Sequence, residues 1–228
     1  IDVYRECDVV EEILRVYGYN NIELPQAMRM SVNAPQKPEP EQVRKGIADF
    51  LAANGFVETM NNSLTKSDYY ANLKTYPQEK CAMILNPLSS DLNCMRQTLL
   101  LNGLEVIAYN VNRQMSDLKL FEYGNVYSFN PDFKAPEFDA SNPEEVSAHR
   151  GDALKAYSEE PKFSIFITGN GYQGWRNRTV GGNFFTLKGY LELLLGKFGV
   201  NVANLEYENA PADLFAEGLS YKVSGGKE

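Results

Sequence analysis

Histidine, tryptophan and cysteine are nearly missing from this chain, which holds one His, one Trp and three Cys in 228 residues. The lone His149 sits in an acid-rich stretch with no serine or cysteine motif to make it a general base, so it reads as a surface residue. Cys7, Cys81 and Cys94 are few, odd in number and far apart. That fits reduced, structural thiols in a cytoplasmic protein better than a disulfide framework or a zinc site. Basic residues are also short, with 22 Lys and Arg against 30 Asp and Glu, a net charge of -8 and a pI near 4.9. Such a chain is not by itself the main electrostatic footprint for a nucleic acid, because phosphate neutralisation needs clustered cations. Long apolar runs are missing too. The longest candidate, 184–200, is interrupted by Thr186, Lys188, Glu192 and Lys197, short of the roughly 18 to 20 residues a membrane span needs. The start at Ile1-Asp2 has no initiator Met and no secretory signal, and reads as an excised piece of something longer.

What is present suffices for a core: 43% hydrophobic and 12% aromatic residues, enough for one large or two small domains. Val9, Ile13, Val16 and Tyr17 recur on one stripe, which predicts a helix over 8–17 stopped by Gly18. Residues 20–40 form a connector, since Pro25, Pro35, Pro38 and Pro40 favour extended backbone. Pro40-Glu41 opens a second helix, lined by Val43, Ile47, Phe50 and Leu51 and ended by Gly55. Strand-like composition follows at 56–65 and 82–88, with a short helix at 66–73 between them and a third helix over 97–112. Residues 118–123 and 126–129 flank Gly124-Asn125, a dipeptide suited to a tight turn, so they read as an antiparallel hairpin. A polar interlude over 132–161 carries a short helix at 144–157, strand 163–168 resumes the sheet, and 184–198 is an apolar helix. Residues 219–223 begin a strand with no following partner. Hairpins among helices point to an α+β fold, an antiparallel sheet flanked by helices.

Four carboxylates crowd the first twelve residues. Asp8, Glu11 and Glu12 stand at i, i+3 and i+4, on one helix face, and Asp2 precedes them. Convergent oxygens suit magnesium. The same spacing, Asp8-x-x-Glu11, is also an acidic capping box at the positive end of a helix dipole, and the residues alone favour the cap over the metal, because caps occur on most helices and magnesium sites on few. Elsewhere, Gly169, Gly171 and Gly174 follow a strand but run into Trp175 and Arg176 instead of opening a helix, which argues against a dinucleotide loop. Trp175, Arg176 and Arg178 offer stacking and phosphate contacts to RNA, or else pack a loop against the core.

Three landmarks in order carry a family resemblance. Residues 2–25 resemble the end of a small domain, and Asn86-Pro87-Leu88-Ser89 leads to Met95-Arg96 and a leucine-rich helix, followed by Asn112-Arg113 and Phe121-Glu122-Tyr123-Gly124. Phe184-Phe185-Thr186-Leu187-Lys188-Gly189 is the third. Together they resemble the β subunit of bacterial phenylalanyl-tRNA synthetase. The family usually has proline where Asn102 stands and aspartates where Asn183 and Thr186 stand.

The resemblance implies three segments: a small-domain remnant (1–25), a Pro-rich linker (26–40) and a catalytic-like class II synthetase module, truncated at both ends (41–228). It implies magnesium held by Asp2, Asp8, Glu11 and Glu12 in the intact protein. It also implies a non-catalytic subunit in an (αβ)2 heterotetramer, scaffolding the α subunit, where ATP is used, and helping to place phenylalanine tRNA. The rival reading is an autonomous ATP-binding ligase module in which Arg96 and Arg113 grip phosphates; an arginine fork equally suits a carboxylate such as Glu122 or Asp91. A simple RNA-binding domain is the third reading.

Overall fold

A computed structural model describes residues 3–23, 27, 30–31, 39–134, 136, 151–170 and 181–222. The chain divides into two compact units, Ile1–Pro40 and Glu41–Glu228. In the first, helix α1 (Glu6–Tyr17) begins two residues before the apolar stripe predicts, because Arg5, in extended backbone, takes the N-cap position. Gly18 stops it as expected, at φ 93, with its N–H donating to the Leu14 carbonyl at 2.8 Å. Only glycine adopts that conformation without strain. No residue of α1 is buried.

The second unit starts within helix α2 (Pro40–Ala53), whose first residue needs no N–H partner. Then follow β1 (Val57–Glu58), β2 (Leu64–Thr65), a 3-10 turn at Ser67–Tyr70, β3 (Cys94–Met95) and helix α3 (Leu100–Val111). The two long strands β4 (Lys119–Phe129) and β5 (Tyr157–Ile167) come next, then helix α4 (Phe184–Lys197) and a small hairpin of β6 (Glu206–Asn209) and β7 (Leu219–Lys222). The main sheet has order β1-β4-β5. Strand β4 pairs antiparallel with β5 along its whole length, from Lys119 opposite Ile167 to Phe129 opposite Tyr157. The class is α+β, but the sheet is mixed, since β1 runs parallel to β4.

Alternation along β4 and β5 gives the sheet two apolar faces. Phe121, Tyr123, Phe163, Ile165 and Ile167 meet Ile47 and Leu51 of α2, Phe56, and Tyr190 of α4. Leu120 and Phe166 on the other face, with Leu118, meet Leu100, Val106 and Ile107 of α3. Leu51 and Phe121 are 0% and 1% exposed, so each contributes about 1.5–3 kcal/mol of burial. Gly103 lets α3 approach closely: a Cβ there would fall 2.1 Å from the Phe166 ring. A third cluster joins Tyr70, Cys81 and Cys94.

The expected hairpin at Gly124-Asn125 is not formed; both residues lie inside β4. Gly124 serves close approach instead of turning, because a Cβ there would fall 2.1 Å from Arg96 Nη2. The stretch 82–88 is not a strand either. Its pairing is one bridge, Met83 to Cys94, flanked by Ile84 N–H to Asn93 O and Met95 N–H to Ala82 O, after which Pro87 and exposed polar residues take the chain away. The third helix begins at Leu100, since Gln97 uses its N–H on the Tyr70 hydroxyl. Strand β7 pairs backwards with β6. Of the helix expected over 144–157, residues 144–150 lie outside the described residues. The remainder is a 3-10 turn, Asp152–Ala156, leading into β5.

Candidate functional site

Asp8 is the third residue of α1, and its carboxylate turns back onto the helix start. Its Oδ2 accepts the N–H groups of Tyr4 (3.0 Å) and Arg5 (2.9 Å). Those bonds, that of Tyr4 foremost, hold its pKa below the ordinary 3.8. The capping box expected from Asp8 to Glu11 is thus shifted in register: Asp8 supplies its N3 half, reaching back to Arg5. Glu12 pairs with Arg15 at 2.7 Å, and Glu11 is exposed. Asp2 lies outside the described residues. The donor chemistry, all carboxylate oxygen, suits a magnesium ion. Among the described residues, however, no three His, Cys, Asp or Glu side chains come together to hold a metal.

Arg96 is 2% exposed and Glu122 is 1% exposed. Arg96 Nη1 meets Glu122 Oε1 at 2.8 Å, and its Nε donates to the Asn125 carbonyl at 3.0 Å. The remaining acceptor capacity of Glu122 is met by Asn61, whose backbone N–H reaches Oε1 at 3.1 Å and whose Nδ2 reaches Oε2 at 2.7 Å. The backbone of Arg96 is tied as well, donating to Ser63 O and accepting from Tyr127 N–H. A guanidinium so enclosed ties the 61–63 segment, β3 and β4 together and has no free fork for a nucleotide. The autonomous use of Arg96 on ATP finds no support in this geometry. The sequence offered Glu122 or Asp91 as its carboxylate partner; Asp91 pairs instead with Lys66 at 3.2 Å. Asn61 and the role of Gly124 had no sequence signal, because their spacing from Arg96 follows no helical or strand period.

Arg113, just past α3, lies over the Tyr109 ring at 3.4 Å from its centroid and donates to the Tyr109 carbonyl at 2.9 Å. A cleft of about 790 Å³ opens on the α3 face of β4 and β5, lined by Leu100, Leu104, Phe166, Leu187, Ser128 and Lys162 among others. Its cationic groups are Lys80 and Lys162, and Lys162 pairs with Glu160 at 2.6 Å. Among the described residues no arginine lines it. The RNA-contact candidates Trp175, Arg176 and Arg178, the glycines 171 and 174, and His149 lie outside the described residues. No described helix is long and apolar enough to cross a membrane.

At the C-terminal end, Asp213 grips the loop after Tyr70. Its Oδ2 accepts the N–H groups of Lys74 and Thr75, each at 2.8 Å, and its Oδ1 accepts the Thr75 hydroxyl at 2.7 Å.

Among solved structures, a pyrrolysyl tRNA synthetase from Desulfitobacterium hafniense has a similar fold. The likeness covers 95% of this chain and 62% of that one, with a TM-score of 0.51 at 12% identity. A phenylalanine–tRNA ligase beta subunit from Bacteroides thetaiotaomicron is 42% identical over 100% of the chain, and one from Porphyromonas gingivalis is 35% identical over 99%. In both the match covers 26% of the relative, so the chain spans about a quarter of their length. With residues 23–228 also matching the family model, the chain belongs to the family of the phenylalanyl tRNA synthetase beta chain CLM domain.

Proposed function

We propose that the chain is the catalytic-like, class II module of a phenylalanine–tRNA ligase β subunit. It carries no chemistry of its own, pairs with the α subunit in an (αβ)2 assembly in the cytoplasm and helps to place phenylalanine tRNA, while ATP is consumed at the α subunit. The observation that supports this most is the commitment of Arg96 to Glu122: the arginine best placed by sequence to hold a phosphate is spent inside the fold. That no described arginine lines the cleft on the sheet face agrees with it. The exposed apolar side chains of α3, Leu104 and Tyr109, would be part of the subunit contact.

Residues 1–25 are read as the end of the preceding small domain and 26–40 as a linker. Asp2, Asp8, Glu11 and Glu12 are proposed as magnesium ligands of the longer protein, where Asp8 and Glu12 exchange their present partners for the ion. When bound there, the ion would supply structural charge neutralisation away from the reaction.

Two measurements test the reading. Phenylalanine-dependent exchange of pyrophosphate into ATP is expected to be absent for the chain alone, and co-expression with the α subunit is expected to yield a complex. Exchange by the chain alone, or failure to bind an α subunit that the full β subunit does bind, overturns it. For magnesium, calorimetric titration of the full β subunit is expected to show a site that Asp8→Asn abolishes; unchanged binding removes these ligands.

A further inference from the structure

Strand β5 ends the main sheet, and the bonding parity of the ladder shows which of its main-chain groups are already used. Just beyond its two ends, Asn130 N–H donates to Ala156 O at 2.7 Å and Thr168 N–H to Leu118 O at 2.9 Å, so the even-numbered residues of β5 exchange bonds with β4. Strand β4 agrees: its odd-numbered Phe121 O and Tyr127 N–H are bonded away from β5, to Thr59 and Arg96. The intervening residues of an antiparallel strand aim their N–H and C=O the other way. Phe163 and Ile165 therefore present both groups at the outer edge of β5, where no strand among the described residues pairs with them. Their side chains pack on the α2 face, yet both residues line the cleft on the α3 face. What they lend to the cleft is this main-chain edge. Natural edges are usually blunted by Lys, Pro or a bulge. Here the run Phe163-Ser164-Ile165-Phe166-Ile167 holds no charge and no proline. Pro161 and Lys162 stop short of it on one side, and Gly169, at φ 80, turns the chain on the other. Ser164, in the middle, stands on the cleft side opposite Glu122, and its Oγ is buried without a hydrogen-bond partner.

We propose that this edge takes β5 of a second copy of the chain, the two strands pairing antiparallel about a two-fold axis at Ser164 and joining two three-stranded sheets into one. A two-fold contact sets the same patch against itself, and a strand edge is self-complementary in that way. In this register Phe163 of each copy exchanges both main-chain bonds with Ile165 of the other. Ile167 N–H meets the carbonyl of Pro161, the one group that proline can offer there. Ser164 faces Ser164 of the other copy in the close, non-hydrogen-bonded position, with Cα atoms about 4.5 Å apart. A χ1 rotation then lets the two unmatched hydroxyls bond each other. Lys162 falls opposite Phe166, so no like charges meet. The neighbouring registers are poorer: an axis at Phe163 sets Ile165 against Pro161, which has no N–H to return, and an axis at Ile165 sets Ser164 against Phe166 and leaves its hydroxyl unmatched.

The test follows the mass of the wild-type chain by sedimentation equilibrium from dilute solution to the concentration of an NMR sample, with amide hydrogen exchange measured at both ends of that range. Monomer is expected to convert to dimer, with exchange at the Phe163 and Ile165 amides slowing as it does so and exchange at Leu120, already inside the sheet, unchanged. In a Cys7→Ser background, Ser164→Cys is expected to give a disulfide-linked dimer under a mild oxidant. Ser158→Cys, on the same face but beyond the paired run, is expected to stay monomeric. A chain that remains monomeric throughout overturns the proposal. So does a dimer in which Phe163 and Ile165 exchange as fast as in the monomer, or one that Ser158→Cys cross-links as readily as Ser164→Cys. Mass and exchange are read on the wild-type chain, so a poorly folding variant does not decide the matter, and neither depends on the synthetase reading.

Discussion

Arg96 and Glu122 meet at 2.8 Å with only 3% and 1% of their side chains exposed, and every hydrogen bond they make stays inside the fold. A buried pair of this kind punishes removal of one member more than removal of both. Arg96→Met is expected to cost about 3–5 kcal/mol, since it leaves Glu122 charged, enclosed and short of its main partner. The double variant Arg96→Met with Glu122→Leu is expected to recover much of that loss. Urea unfolding of the two singles and the double, as a mutant cycle, checks it. A loss of under about 1 kcal/mol from Arg96→Met, the range of an exposed ion pair, would remove the structural role assigned here.

Gly124 carries the second prediction, because its sequence context suggested a turn and its structure says otherwise. A Cβ there meets Arg96 Nη2 at 2.1 Å and Leu99 at 3.0 Å. Gly124→Ala is expected to destabilise by about 1–3 kcal/mol through this overpacking. Its effect is also expected to shrink when Arg96 is already shortened, since residues sharing a contact do not add. The coupling read from chemical unfolding of Gly124→Ala, Arg96→Met and the double separates this from backbone entropy, which would be additive.

That contrast also shows what the sequence could and could not disclose. Helices α2, α3 and α4 were legible because their apolar spacing is a local signal, as is the stop of α2 at Gly55. Strand β4 was cut in two because Gly124-Asn125 carries a turn signature, and the reason for the glycine lies 28 residues upstream in Arg96. Likewise 82–88 has strand composition but little to pair with beyond Cys94. The carboxylates of α1 were found as a set, yet the role of Asp8 depended on the helix starting at Glu6, a two-residue shift that composition does not resolve. Asp213 had no sequence signal, since its partners Lys74 and Thr75 lie far away in the chain.

Asp8 gives a prediction with a definite sign. Its folded pKa lies below the ordinary 3.8, lowered by the N–H groups of Tyr4 and then Arg5. Its contribution to α1 is therefore complete above that ordinary value and is lost as pH falls through the lower, folded one. Amide signals of Tyr4 and Arg5, followed by NMR, are expected to shift together with the Asp8 carboxyl in that acidic window. Asp8→Asn is expected to abolish the step while leaving Gly18, at the other end of the helix, unaffected.

Asp213 is expected to govern local protection without setting global stability. Its three bonds to Lys74 and Thr75 are exposed, so their loss opens the loop and not the core. In Asp213→Ala, hydrogen exchange at the Lys74 and Thr75 amides is expected to rise, with exchange at Leu120 and Phe121 unchanged. Equal acceleration at all four would show that the clasp holds the whole unit.

Asn102 offers a stabilising change. It is 4% exposed, and its Oδ1 has no hydrogen-bond partner. An unmatched buried amide oxygen costs about 1–3 kcal/mol. It sits in the first turn of α3, two residues after Leu100, where helix N–H groups lack intrahelical partners. Proline there gives up no ladder bond and presets the helical φ, the gain being partly offset by its crowding of Leu101. Asn102→Pro is therefore expected to raise the unfolding free energy by about 0.5–1 kcal/mol, whereas Asn102→Asp, which buries a charge in the same place, is expected to lower it. Thermal unfolding of both variants checks the pair. A fall in stability with proline would mean that the Asn102 N–H is bonded in solution and that the first turn of α3 begins earlier than Leu100.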